Sequence, residues 1–183
     1  NQEFANRVCM LTVLAHPGIS RIYSVEKWND TYCVIFEELS GVTLNEWMNM
    51  QVEPMELENI LSIFVQVCSV LEYSHEYGLM HKYLTPDHIR IDGDNRVKIT
   101  GFAIHAFSEK TELIKAAEAH GTVYYLAPEQ LELKKTVHRA DVYSFGVILY
   151  ETLTGKLPID YFPKPSELYP EIPKRLDRVV KKC

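Results

Sequence analysis

The side chains here with the widest chemical reach are seven histidines and four cysteines, since imidazole moves protons near neutral pH and thiolates bind metals or attack electrophiles. Their spacing argues against both uses. Cys9, Cys33, Cys68 and Cys183 stand far apart, with no Cys-x-x-Cys pair and no closely spaced histidine, so neither a zinc site nor a dense disulfide framework is expected. The histidines scatter over helices and loops, and His88 reads as a surface or cleft residue in preference to a ligand. No metal is expected. No Gly-x-Gly-x-x-Gly is present to cover phosphates, and no lysine precedes Lys27. The densest polar run is His81-Lys82-Tyr83-Leu84-Thr85-Pro86-Asp87-His88, in which Asp87 is the sole carboxylate.

The elements that must position this run can be read from periodicity. With 46% hydrophobic and 24% charged residues in 183, the chain suits one globular domain with a sizeable core. A net charge of -6 argues against nucleic acid or an anionic membrane as main partner, because both need a basic surface. No stretch of about 18 apolar residues occurs and no signal pattern opens the chain. Reduced thiols in a cytoplasmic setting are therefore expected, with no membrane insertion in this stretch.

Phe4, Val8, Leu11 and Leu14 follow helical spacing, and His16-Pro17-Gly18 stops that helix. Ile19 to Val25 and Thr31 to Phe36 read as strands joined by a turn at Asn29-Asp30. Leu44 to Met48 reads as a short helix, and Ile60, Ile63, Phe64, Val67, Val70 and Leu71 mark one face of a long helix ended by Gly78. Ile89 to Ile91 and Val97 to Ile99 flank Gly93-Asp94-Asn95 as a hairpin. Asp141 to Leu153 is an apolar helix closed by Gly155, and 163–173, with four prolines, reads as loop.

Five segments fall in an order that resembles the protein kinase domain, of the bacterial Ser/Thr type. They are His16-Pro17-Gly18-Ile19 after a helix; His81 through His88; Val97-Lys98-Ile99-Thr100-Gly101-Phe102-Ala103; Gly121-Thr122 through Ala127-Pro128-Glu129; and Asp141-Val142-Tyr143-Ser144-Phe145-Gly146. The resemblance implies an α+β kinase-like fold, with residues 1–38 as part of the upper lobe (its αC helix and following strands) and 39–183 as a mostly helical lower lobe. It also implies that the first strands and the last helices of the domain lie outside these residues.

Phosphoryl transfer needs a base near the substrate hydroxyl, metal ions on the phosphates and positive charge beside them. The resemblance puts Tyr83 where the family has its aspartate base, and a phenol of reference pKa about 10 is a poor proton acceptor at neutral pH. Thr85 falls at the phosphate-steadying lysine, His88 at a magnesium-binding asparagine and Gly101 at a magnesium-binding aspartate. Arg7 falls at the glutamate that pairs with the strand lysine, so no catalytic residue is expected to be retained. Arg90 falls where an aliphatic residue packs on adenine, and burying a guanidinium there without a partner is costly. Phe36, Glu37 and Leu39 resemble the gatekeeper and hinge.

The frame is expected to survive. Leu11, Ile22, His81 and Phe102 match the apolar column joining the lobes, Asp141 the buried aspartate that organises the catalytic loop, and Glu129 a glutamate paired with an arginine beyond the chain. Ser108, Thr111, Thr122, Tyr124 and Tyr125 lie where family members are often phosphorylated, although hydroxyl residues are common in any loop. The expectation is a pseudokinase that scaffolds or signals by binding proteins, such as an active kinase or a phosphorylated signalling protein. No cofactor is expected, with ATP binding without magnesium left open. The competing expectation is a divergent Ser/Thr kinase using a substitute carboxylate such as Asp87.

Overall fold

Residues 15–29, 31–50, 56–102 and 110–183 are described by a computed structural model of the chain. The opening helix expected at Phe4 to Leu14 lies outside them, as do Arg7, Leu11 and Ser108. The first element is an antiparallel ribbon of β1 (Ile22–Trp28) and β2 (Thr31–Phe36), with Val25 opposite Val34 and an irregularity between Ile22 and Ser24. The first strand begins later than the sequence reading placed it. Ile19 instead bridges to Ile99, because Ser20 N–H donates to Ile99 O at 3.0 Å and Ile99 N–H to Gly18 O at 2.7 Å. A backbone group already paired on one side leaves the ribbon to start three residues on.

A second sheet has the order β3 (Val42–Thr43), β4 (Ile89–Ile91), β5 (Val97–Ile99), antiparallel throughout. Gly41 precedes it at φ +79°, and a Cβ there would stand 2.0 Å from Ile91 O, so only glycine lets β3 approach β4. Helix α1 (Leu44–Met50) starts from a reciprocal cap: Glu46 N–H donates to Thr43 Oγ1 at 3.1 Å, and Thr43 N–H donates to Glu46 Oε2 at 2.7 Å.

Helix α2 (Leu57–Glu76) buries the six apolar residues of its expected face. They pack on α5 (Arg139–Thr154), where Phe64 meets Phe145 edge-on at 5.4 Å. Helix α5 buries residues all round, as a central helix must. It closes at Gly155, whose N–H donates to Glu151 O at 2.7 Å. Each fully buried Leu, Ile, Val or Phe side chain in this core contributes about 1.5–3 kcal/mol.

Two further elements correct the sequence reading. Helix α3 (Lys110–His120) occupies a segment to which the sequence reading assigned no element, putting Thr111 on a helix. The proline-rich stretch read as loop contains α6 (Pro165–Leu168), with Pro165 at the start of its first turn, where a missing N–H costs nothing. Short α4 (Pro128–Leu131) precedes α5, and α7 (Lys174–Lys182) follows α6.

Candidate functional site

The polar run His81 to His88 threads between α2 and a 3-10 turn, Pro86–His88, that leads into β4. Its geometry is fixed from below by Asp141, which is fully buried in the first turn of α5. One carboxylate oxygen accepts His81 N–H at 2.8 Å and lies 2.7 Å from His75 Nε2; the other accepts Lys82 N–H at 2.7 Å. These charge-assisted bonds hold Lys82 at φ +67°, an uncommon conformation for a side-chain-bearing residue. Gln130 Nε2 adds a bond to Lys82 O at 2.6 Å.

The buried His81 ring is the hub above this anchor. Its Nδ1 accepts Tyr83 N–H at 3.3 Å, which leaves the proton on Nε2 to donate to Thr100 O at 2.7 Å. Phe102 packs edge-on against it at 4.8 Å and His88 at 5.1 Å. The structure thus brings His81 and Phe102 together, while Ile22 is buried at the head of β1. Gly101 is buried between them in sequence at φ +93°, in the region that favours glycine.

Tyr83 points into a small apolar cluster with Leu113 and Ala117 of α3 and Leu126, and is only 6% exposed. Its hydroxyl lies 2.6 Å from Thr122 Oγ1, and its ring 5.6 Å from that of His88. Thr85, also buried, bonds His88 Nδ1 at 2.8 Å. Asp87 turns to α1, accepting Asn45 Nδ2–H at 3.0 Å. Sequence reasoning missed α3 as a wall of this site; the i, i+4 pair Leu113 and Ala117, amid strong helix formers, was the available signal. Tyr125, read as a candidate phosphorylation position, is buried with its hydroxyl donating to Glu151 Oε2 at 2.6 Å. Burial, and then Glu151, push that phenol well above its ordinary range.

At the end of β2, Phe36 is half-buried and Glu37 forms an ion pair with Lys98 of β5. Burial opposes ionisation of Glu37, but the Lys98 ammonium and the Arg21 N–H, at 2.9 Å, together hold its carboxyl below the usual range. Leu39 is half-buried. The Arg90 guanidinium bends back to this connection, with Nη2 on Gly41 O and Nε 3.4 Å from Ser40 O. The carbonyls answer the expected desolvation cost, and Arg90 lines a cavity of about 580 Å³ with Ser40 and Lys98. Glu129 of α4 is half-buried and forms no ion pair among the described residues, although its charge helps raise the half-buried Tyr143 phenol, mainly displaced by its partial burial. Among the described residues no three His, Cys, Asp or Glu side chains gather, and no helix is long and apolar enough to cross a membrane.

A loop hung from a buried helix aspartate, joined to a small sheet and a helical body, defines a kinase-like α+β fold. The family described as protein kinase domain matches residues 1–176, and the chain belongs to that family. It is 28% identical to a probable serine/threonine-protein kinase PknB of Lactococcus lactis, over 99% of this chain and 31% of that protein. It is 27% identical to the serine/threonine-protein kinase PrkC of Bacillus subtilis, over 100% of this chain and 30% of that protein. Against the serine/threonine-protein kinase PknB of Mycobacterium leprae, identity is 33% over 79% of this chain and 24% of that protein. The chain spans less than a third of the length of these relatives.

Proposed function

We propose that this protein kinase domain has lost phosphoryl transfer and works as a cytoplasmic, kinase-shaped module that binds protein partners. The observation that carries the reading is Tyr83. At the loop position that the family resemblance gives to the base stands a phenol buried against Leu113, Ala117 and Leu126, its hydroxyl bonded to Thr122. A neutral, buried phenol accepts no proton comparably to a carboxylate, and loss of a general base costs about a hundred- to ten-thousandfold. Thr85 and His88 bond one another, and Gly101 offers no carboxylate, which supports loss of the magnesium ligands as well. Asp87, the substitute carboxylate, is engaged by Asn45.

The intact anchor at Asp141 supports retention of the kinase shape for recognition. In this reading residues 1–38 belong to the upper lobe and 39–183 to the lower, and ATP, where bound, is held without magnesium. Arg90 on the Ser40 and Gly41 carbonyls supports weak nucleotide binding. The test is a thermal-shift titration of the full-length protein with ATP, with and without magnesium, beside a phosphate-incorporation assay. Incorporation absent, with any ATP shift indifferent to magnesium, is the expected outcome; a magnesium-dependent shift with incorporation overturns the reading.

A further inference from the structure

The cavity of about 580 Å³ that Arg90 lines lies beside β5, the edge strand of its sheet, between the turn at His16–Gly18, α2 from Gln66 to Val70, and the β4/β5 hairpin. Hydrogen bonds pin these three walls to one another. Gly18 O accepts Ile99 N–H at 2.7 Å, and His16 Nδ1 accepts Gly18 N–H at 3.0 Å. Gln66 joins α2 to the hairpin, accepting Val97 N–H at 3.0 Å and donating to Asn95 O at 2.8 Å. The walls are thus set before a ligand arrives, which spares a ligand the cost of ordering them.

Strand alternation makes the lining amphipathic. Ile89, Ile91, Val97 and Ile99 are buried, so Arg90 and Lys98, partners across the two strands, project from the other face. At the sheet edge the cavity meets both faces, with Val97, Val70 and Pro17 on one side and Arg90, Arg96 and Lys98 on the other. The three cations are unequally engaged. Lys98 is paired with Glu37. Arg96 meets Asp94 at 3.4 Å, but the two side chains are 75% and 70% exposed, and water screens such a pair. Arg90 is half-buried and pairs with no carboxylate among the described residues, its Nε and Nη2 reaching only the neutral carbonyls of Ser40 and Gly41. Glu46, whose carboxyl feels the Arg90 charge, accepts Thr43 N–H instead. Asp92, the sole carboxylate of the lining, accepts the N–H groups of Asp94 and Arg96, each at 2.9 Å. A guanidinium carries five N–H donors in a fork that fits carboxylate or phosphate oxygens, so Arg90 keeps both charge and donors for a ligand.

We propose that this cavity binds a small amphipathic anion, an apolar body bearing a carboxylate or a phosphate, with the body against Pro17, Val70 and Val97 and the anionic group on Arg90 and Arg96. The volume, and apolar surface beside a few convergent polar groups, suit a small molecule. Charge-assisted bonds to the guanidinium supply the preference for an anion. The proposal stands apart from the catalytic reading, since no residue from His81 to His88 lines the cavity.

The test is isothermal titration calorimetry of the full-length protein with three probes of one shape: naphthoate, naphthyl phosphate and naphthylmethylammonium. Saturable binding of an anion and none of the ammonium is expected, and the tighter of the two anions tells a carboxylate ligand from a phosphate. Arg90→Gln is expected to weaken the anion about tenfold or more. Ser69→Phe fills the cavity from an exposed position on α2, is expected to weaken binding as much without moving the thermal midpoint, and serves if Arg90→Gln fails to fold. No saturable binding of either anion, equal binding of the ammonium, or indifference to both variants overturns the proposal. So does displacement of the bound anion by ATP, which would make the cavity part of the nucleotide cleft. Phosphate incorporation is measured separately, so failure here leaves the catalytic reading standing, and the converse.

Discussion

The hydroxyl of Tyr83 lies 2.6 Å from that of Thr122, tying the catalytic loop to the segment before α4 under the cover of α3. The pair joins residues 39 apart in sequence. Tyr83→Phe, which removes only the bond, is expected to cost about 0.5–1.5 kcal/mol, and Tyr83→Ala, which also leaves a cavity, about 3–5 kcal/mol. Urea unfolding of the two variants checks the order.

Asp141 is the stronger anchor. Asp141→Ala strands the N–H groups of His81 and Lys82 and the His75 ring nitrogen beneath the loop. A loss of about 3–5 kcal/mol is expected, as for removing one partner of a buried charged network. Asp141→Asn keeps the size and one acceptor and should lose less; equal stability of all three proteins would contradict the anchoring role.

In the proposed reading, Arg90 bears on nucleotide binding. Arg90→Leu frees the Ser40 and Gly41 carbonyls and puts an aliphatic face where the family packs adenine. ATP binding by the variant is expected to tighten about tenfold, or about 1.4 kcal/mol, read by thermal-shift titration. Unchanged affinity would mean that the guanidinium is no obstacle.

Glu151 makes stability depend on pH. Burial raises its carboxyl above the ordinary 4.5, partly offset by the bond from Tyr125, while nearby Asp87 adds to the rise. The folded chain thus keeps a proton that the unfolded chain releases above 4.5. The stability this contributes is full below that pH and is lost as pH rises through the folded value. Glu151→Gln retains an acceptor for Tyr125 and is expected to flatten stability against pH above 4.5, as measured by urea midpoints across a pH series.

What was legible in the sequence followed from local rules. Helices α2 and α5 show a continuous apolar pattern with Gly78 and Gly155 at their ends, and the hairpin of β4 and β5 follows from Gly93-Asp94-Asn95. The start of β1 was not legible, because Ile19 is taken up by Ile99, eighty residues on. Helix α3 was not assigned from the sequence, though Leu113 and Ala117 were in register. At the site, the order of motifs pointed to His81 and Phe102, with Leu11 and Ile22, as one apolar column and to Asp141 as the organiser of the loop; of these, His81 and Phe102 meet, and Asp141 holds the loop. The engagement of Tyr83 with Thr122, of Asp87 with Asn45 and of Arg90 with Gly41 depends on long-range packing that spacing does not encode.

The most direct measurement of the central claim is transfer of labelled phosphate from ATP with magnesium by the full-length protein, run beside its Asp87→Asn variant. The account predicts no incorporation above that of a protein-free control in either. Incorporation by the natural chain that disappears in Asp87→Asn would contradict it and make Asp87 the working base.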